Sequence, residues 1–148
     1  MIWKMESCVQ VSEDGRSKYP VRLCESSEKG KYIVTQPGWL APVLSCGNFV
    51  LISDAVYRFL SQHITPGVFY EPAWIENRAN QTRTTGYWRF TCDHGFTIPD
   101  SAFFDTLGIA VWLANDEYIF ISDELKQQFE NTPVKGMVLL PGFGSFVN

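Results

Sequence analysis

With 148 residues, 45% of them apolar and 19% charged, the chain carries enough hydrophobic material for a packed core and lacks the composition of a disordered segment. Its formal net charge of −4 is unevenly placed: residues 1–89 hold ten Lys/Arg against eight Asp/Glu, and residues 90–148 hold two against eight. An acidic C-terminal part excludes a surface built for the phosphate backbone, so direct nucleic-acid binding is not expected, while a basic protein partner would be attracted.

From the N-terminus, residues 1–10 mix Lys4 and Glu6 with apolar residues and lack the apolar stretch of a signal peptide. The longest apolar run, 107–114, is too short to cross a bilayer. Cytoplasmic residence without membrane contact is therefore the expectation, and Cys8, Cys24, Cys46 and Cys92 are read as free thiols. No C-x-x-C pair occurs and neither His63 nor His94 stands at ligand spacing, so neither metal nor cofactor is expected. Five tryptophans (Trp3, Trp39, Trp74, Trp88 and Trp112) are dispersed along the chain, as core-filling rings are.

Turn-rich stretches at 13–15 and 25–31 bracket a strand near 19–23, and 32–35 suits another. Residues 49–52 form an apolar run that suits a buried strand. Ser53 follows as a helix N-cap, with Asp54 against the positive end of the helix dipole. Val56 and Leu60, four apart, give that helix an apolar face, and Gly67 lets the chain turn into a second apolar run at 68–70, closed by Pro72. Residues 77–86 are polar and read as an exposed loop. A strand is expected over 87–92, turning at 93–95 into a returning arm at 96–98, and a short helix starts near Asp100 and Ser101.

The segment FVLISDAVYRFL at 49–60 then reappears as YIFISDELKQQF at 118–129. A single offset of 69 superposes Ile52 on Ile121, Ser53 on Ser122, Asp54 on Asp123, Gly67 on Gly136 and Pro72 on Pro141. Leu125 and Phe129 repeat the spacing of Val56 and Leu60. The sequence thus predicts an α+β fold in one domain, 1–148. Two strand-helix-strand pseudo-repeats, near 48–73 and 117–142, would share a mixed or antiparallel sheet. Two units are too few for a solenoid.

Reactive constellations are scarce. Cys92 and His94 face one side of an extended strand, yet no orienting group or oxyanion donor accompanies them. Asp54 and Asp123 are explained by capping and the dipole. The G-x-G of residues 142–144 lacks the strand-to-helix setting of a phosphate loop, and reads as part of a tucked apolar tail. No catalytic residue is assigned.

The recurring pattern of Ile121-Ser122-Asp123 with Leu125, Gly136 and Pro141, matched more loosely by Ile52, Ser53, Asp54, Val56, Gly67 and Pro72, resembles the immunity proteins of bacterial polymorphic-toxin systems. The immunity protein 43 family is the nearer likeness and the immunity protein 11 group the alternative. The resemblance implies a cytoplasmic, non-enzymatic protein that binds a cognate toxin domain and blocks it. A basic nuclease is the toxin class that the acidic charge fits. Asp93, Asp100, Asp105, Asp116, Glu117 and Glu124 are the expected partner-binding residues. A general scaffold domain is the alternative, and a small-ligand-binding protein or enzyme stands behind it.

Overall fold

The computed structural model describes residues 2–63, 67–93 and 111–141. In chain order the strands are β1 (Ile2–Ser7), β2 (Gln10–Val11), β3 (Ser17–Lys18), β4 (Arg22–Glu25), β5 (Lys31–Gln36), β6 (Val43–Ser45) and β7 (Val50–Ser53). Helix α1 (Asp54–Ser61) precedes β8 (Val68–Asn77), β9 (Thr82–Cys92), β10 (Val111–Ala114) and β11 (Tyr118–Ser122), and helix α2 (Asp123–Asn131) precedes β12 (Met137–Pro141). The fold is a sheet-dominated α+β one. Among the described residues the strands make a six-stranded sheet, β4-β5-β8-β9-β7-β6, a four-stranded sheet, β10-β11-β1-β12, and the small β2–β3 hairpin. The parallel pairing of β5 with β8 makes the larger sheet mixed.

Both helices begin as expected. The hydroxyls of Ser53 and Ser122 accept the N–H of Val56 and Leu125 at 3.4 Å, with cap backbones at φ −70°, ψ 166° and φ −72°, ψ 164°. Each satisfies one of the orphan donors of a helix start. Their apolar faces meet: Val56, Phe59, Leu60, Leu125 and Phe129 are buried in one core with Ile52, Phe90, Ile119 and Ile121, and the Phe59 and Phe129 rings pack edge to face at 5.5 Å. Gly67 and Gly136 adopt φ of 80° and 86°, the left-handed region that glycine enters without steric cost, where the chain turns into β8 and β12. A second core, with Leu23, Tyr32, Leu44, Leu51, Ile75 and Tyr87, fills the other face of the six-stranded sheet.

In each strand-helix-strand stretch the two strands flank a third, antiparallel to both. Strand β9 lies between β7 and β8, with Trp88 opposite Ile52 on one side and Pro72 on the other. Strand β1 lies between β11 and β12, with Trp3 opposite Ile121 and Pro141.

The structure corrects several expectations. Residues 77–86 are chiefly hairpin: β8 runs to Asn77, β9 starts at Thr82, and Asn77 and Asn80 close the turn by accepting the N–H of Ala79 and Thr82 through their side chains. Backbone pairing at an exposed hairpin needs no apolar alternation, which is why composition misread it. The strand placed at 19–23 instead runs as β4 from Arg22, preceded by an isolated parallel bridge of Pro20 with Trp39. Residues 1–10, unassigned from sequence, supply the central strand β1. The returning arm at 96–98, the helix near Asp100, the partner His94 and the 142–144 glycines lie outside the described residues.

Candidate functional site

The six-stranded sheet curls until its end strands approach: Arg22 of β4 and Ser45 of β6 line the same cleft, about 500 Å³ in volume, whose floor is β1. Backbone bonds hold the approach. Trp39 N–H donates to Tyr19 O at 3.0 Å and Val21 N–H to Trp39 O at 2.9 Å. Gly38 is required there because a Cβ would run into Tyr19 O and stand 2.5 Å from Val21 N. Across the seam, the Ser7 hydroxyl donates to Val43 O and accepts Val43 N–H, both at 2.8 Å, so it serves as a surrogate partner for the β6 edge. Ser45 Oγ donates to Glu117 O at 2.7 Å. Two sheets are thus joined at the cleft by hydroxyls rather than by a ladder.

On the floor, Lys4 is 7% exposed. Its ammonium lies 3.7 Å from the Glu6 carboxylate and 4.7 Å from the centre of the Tyr118 ring, so the cost of burying the charge is offset by an ion pair and a cation–π contact. Tyr118 is pushed up to about 12, first by its hydrogen bond to Glu117 and then by burial; both favour the protonated phenol. At the mouth stand Val9 and Tyr19. Val9 directly precedes β2 and Tyr19 directly follows β3, at the open end of the hairpin whose register sets Gln10 opposite Lys18 and Val11 opposite Ser17. Val11 is 70% and Tyr19 66% exposed, so this hairpin presents an apolar stripe to solvent beside the cleft.

The expected acidic surface is divided. Asp116 (φ 58°) and Glu117 sit in the β10–β11 turn next to the cleft. Glu124 is exposed in the first turn of α2, at the far end of β11. Five strand residues at about 3.3 Å each put roughly 17 Å between the two places. Asp93, directly after β9, donates its N–H to Gly67 O at 2.9 Å and is exposed. It belongs to the Glu124 end, since Cys92 touches Val111 O at 3.9 Å and Val111 pairs with Ile121. Asp100 and Asp105 lie outside the described residues.

Two further features carried no local signal. The Trp88 indole N–H donates to Asp54 Oδ1 at 3.0 Å, and Trp3 makes the like bond to Asp123 Oδ1 at 2.7 Å. Tyr57 stacks on Trp88 with ring centres 4.0 Å apart, while the Lys126 ammonium lies 4.1 Å over Trp3. The four cysteines are free thiols. Among the described residues no group of three or more His, Cys, Asp and Glu is placed to hold a metal ion, and no helix is long and apolar enough to cross a membrane. No known family model, curated protein or solved structure matches the chain.

Proposed function

We propose that the chain works by binding another protein through the cleft mouth, as a cytoplasmic immunity protein that occludes a cognate antibacterial toxin domain without catalysing a reaction. One observation carries the binding part of this reading: the exposed stripe of Val9, Val11 and Tyr19 adjoining a cleft. Single exposed apolar residues are ordinary, whereas an apolar patch beside a concavity is a mark of an interaction surface. The toxin as partner comes from the resemblance of the Ser-Asp helix starts and the glycines and prolines that follow them. Asp116 and Glu117, beside the cleft, fall within reach of a partner docked there. Asp93 and Glu124 fall outside that footprint.

We also infer that residues 48–73 and 117–142 are two copies of one structural unit. Support comes from side chains that agree at the offset of 69 and from their central strands. Trp88 and Trp3 each bond the first acid of a helix. Tyr57 and Lys126, 69 apart, each cover that indole. The next residue of each central strand is a cation over an aromatic ring: Arg89 over Phe49 at 5.7 Å and Lys4 over Tyr118 at 4.7 Å, and those rings are again 69 apart.

The test of function is growth rescue. Express the C-terminal domain encoded by the neighbouring gene in a sensitive bacterium, with and without this chain. Restored growth together with co-purification supports the immunity reading; toxicity that persists, with no complex formed, sinks that pairing.

A further inference from the structure

We propose that the cleft accepts an extended polypeptide segment of the partner that carries an Asp or Glu side chain between apolar ones, with Arg22 as the receptor for the carboxylate. The inference rests on the protein-binding reading and adds the chemistry of what is bound. Three charged residues line the cleft: Lys4, Glu6 and Arg22. Lys4 and Glu6 neutralise one another at 3.7 Å, and Lys4 is spent further on the Tyr118 ring. Arg22 is exposed on the rim, and among the described residues its guanidinium makes no ion pair or hydrogen bond. Arg22 is therefore the lining cation left open to a ligand, with the acids of the β10–β11 turn beside the cleft rather than paired with it.

A guanidinium presents donors in a planar fork that matches a carboxylate, and it binds one far more strongly when both are shielded from water. Gln36 lies opposite Arg22 in the β4–β5 ladder and lines the same cleft, so its amide adds a donor beside the fork. Val9, Tyr19, Pro20 and Pro37 form the adjoining walls, which suit aliphatic or aromatic neighbours of the acid. A volume of about 500 Å³ holds a few side chains rather than a domain surface. Nucleic acid does not fit this site, because binding its backbone draws on many cations, and among the described residues that line the cleft Arg22 is the one cation outside an ion pair. At Arg22 the cleft thus selects charge of the opposite sign to that expected for Glu124 and Asp93 at the far end of β11.

The probe is a blocked peptide, acetyl-Leu-Glu-Phe-Glu-Leu-amide, titrated into the isotope-labelled full chain and followed by NMR. A second peptide has Gln for both Glu, and a third has Lys. The expected result is saturable shifts at the Arg22 Nε–H and at the amides of Val9 and Tyr19. The Gln peptide should bind about tenfold more weakly, the scale of losing one charge-assisted hydrogen-bonded pair. Arg22→Glu should reverse the preference toward the Lys peptide, and Arg22→Lys, which keeps the charge but not the fork, should bind at an intermediate level and guards against a folding artefact. Equal affinity for the Glu and Gln peptides, shifts located elsewhere, no binding, or an indifferent Arg22→Glu would each overturn the proposal. Should a toxin domain co-purify with undiminished affinity for Arg22→Glu, the immunity reading stands and this assignment falls.

Discussion

Trp3 and Asp123, 120 positions apart in the chain, are joined by a hydrogen bond of 2.7 Å from the indole N–H to the carboxylate. It ties the central strand of the four-stranded sheet to the first residue of α2, and the acid also faces the positive end of that helix. Replacing Asp123 by Ala should lower stability by about 1–2 kcal/mol, from a charge-assisted bond and a dipole contact. Urea denaturation of Trp3→Phe, Asp123→Ala and the double variant gives the coupling. Strict additivity of the two single changes would show that the bond contributes nothing.

The helix caps provide a second prediction. Ser53→Ala and Ser122→Ala should each destabilise by about 1 kcal/mol, and the Gly replacements by only a few tenths, because glycine exposes the orphan N–H groups to water. Thermal or chemical unfolding of the four variants decides this. A loss in the Gly variants equal to that in the Ala variants would mean the hydroxyls do not cap.

Lys126→Tyr tests the equivalence of the two helices. A ring at position 126 should stack on Trp3 as Tyr57 stacks on Trp88, and the lost pair with Glu130 at 2.8 Å is an i,i+4 surface contact of about 0.3–0.5 kcal/mol. Stability should be unchanged or raised, with altered Trp3 fluorescence. A loss of more than about 1 kcal/mol, the size of an ordinary destabilising substitution, would argue against matching environments.

Three tyrosines make the fold sensitive to alkali. Burial pushes Tyr70 and Tyr87 up to about 12, and the Glu117 bond together with burial does the same for Tyr118. The folded state therefore holds these protons more tightly than the unfolded chain, whose phenols titrate near 10. Their contribution to stability is fully present below pH 10 and is lost as pH rises from about 10 to about 12. Tyrosinate absorbance should lag behind that of a model phenol and then rise together with unfolding. Titration of every tyrosine near pH 10 without loss of structure would contradict it.

Gly38 offers the sharpest test of the cleft wall. Gly38→Ala should destabilise the chain and weaken the Trp39–Tyr19 approach, since the new methyl meets backbone atoms that cannot rotate away. Gly15→Ala is the control for a glycine with nothing within 4 Å of its Cβ, and its loss, which comes only from φ of 80°, should be smaller. Amide exchange at Val21 and Trp39 reports the difference.

What could be read from the sequence is what depends on neighbours along the chain. Ser53, Asp54, Val56 and Leu60, with their counterparts at 122, 123, 125 and 129, encode cap, dipole and buried face within eight residues, so both helices were legible. Strand β1 was not. Its residues Lys4 and Glu6 look like surface residues, and Lys4 is buried with Glu6 and Tyr118 receiving its charge. The long β8–β9 hairpin was half missed because Asn77, Asn80 and Thr82 have the composition of a loop, although the side chains that form the turn are what let the strands pair. The cleft draws on β1, β4, β5, β6 and β11, and before folding nothing separates Arg22 from the other cations.

The position of β1 also orders events during synthesis. All six strands of the larger sheet fall between residues 22 and 92, so that sheet has its partners early. Among the described residues the ladder partners of β1 are β11 and β12, so apart from the Ser7 bonds to Val43 its backbone pairing must wait until residues beyond 118 have left the ribosome. Contacts of such long sequence separation form slowly. A ribosome stalled before β11 should therefore carry a protease-resistant middle and a protease-sensitive start, a nascent chain that has folded from the inside outward.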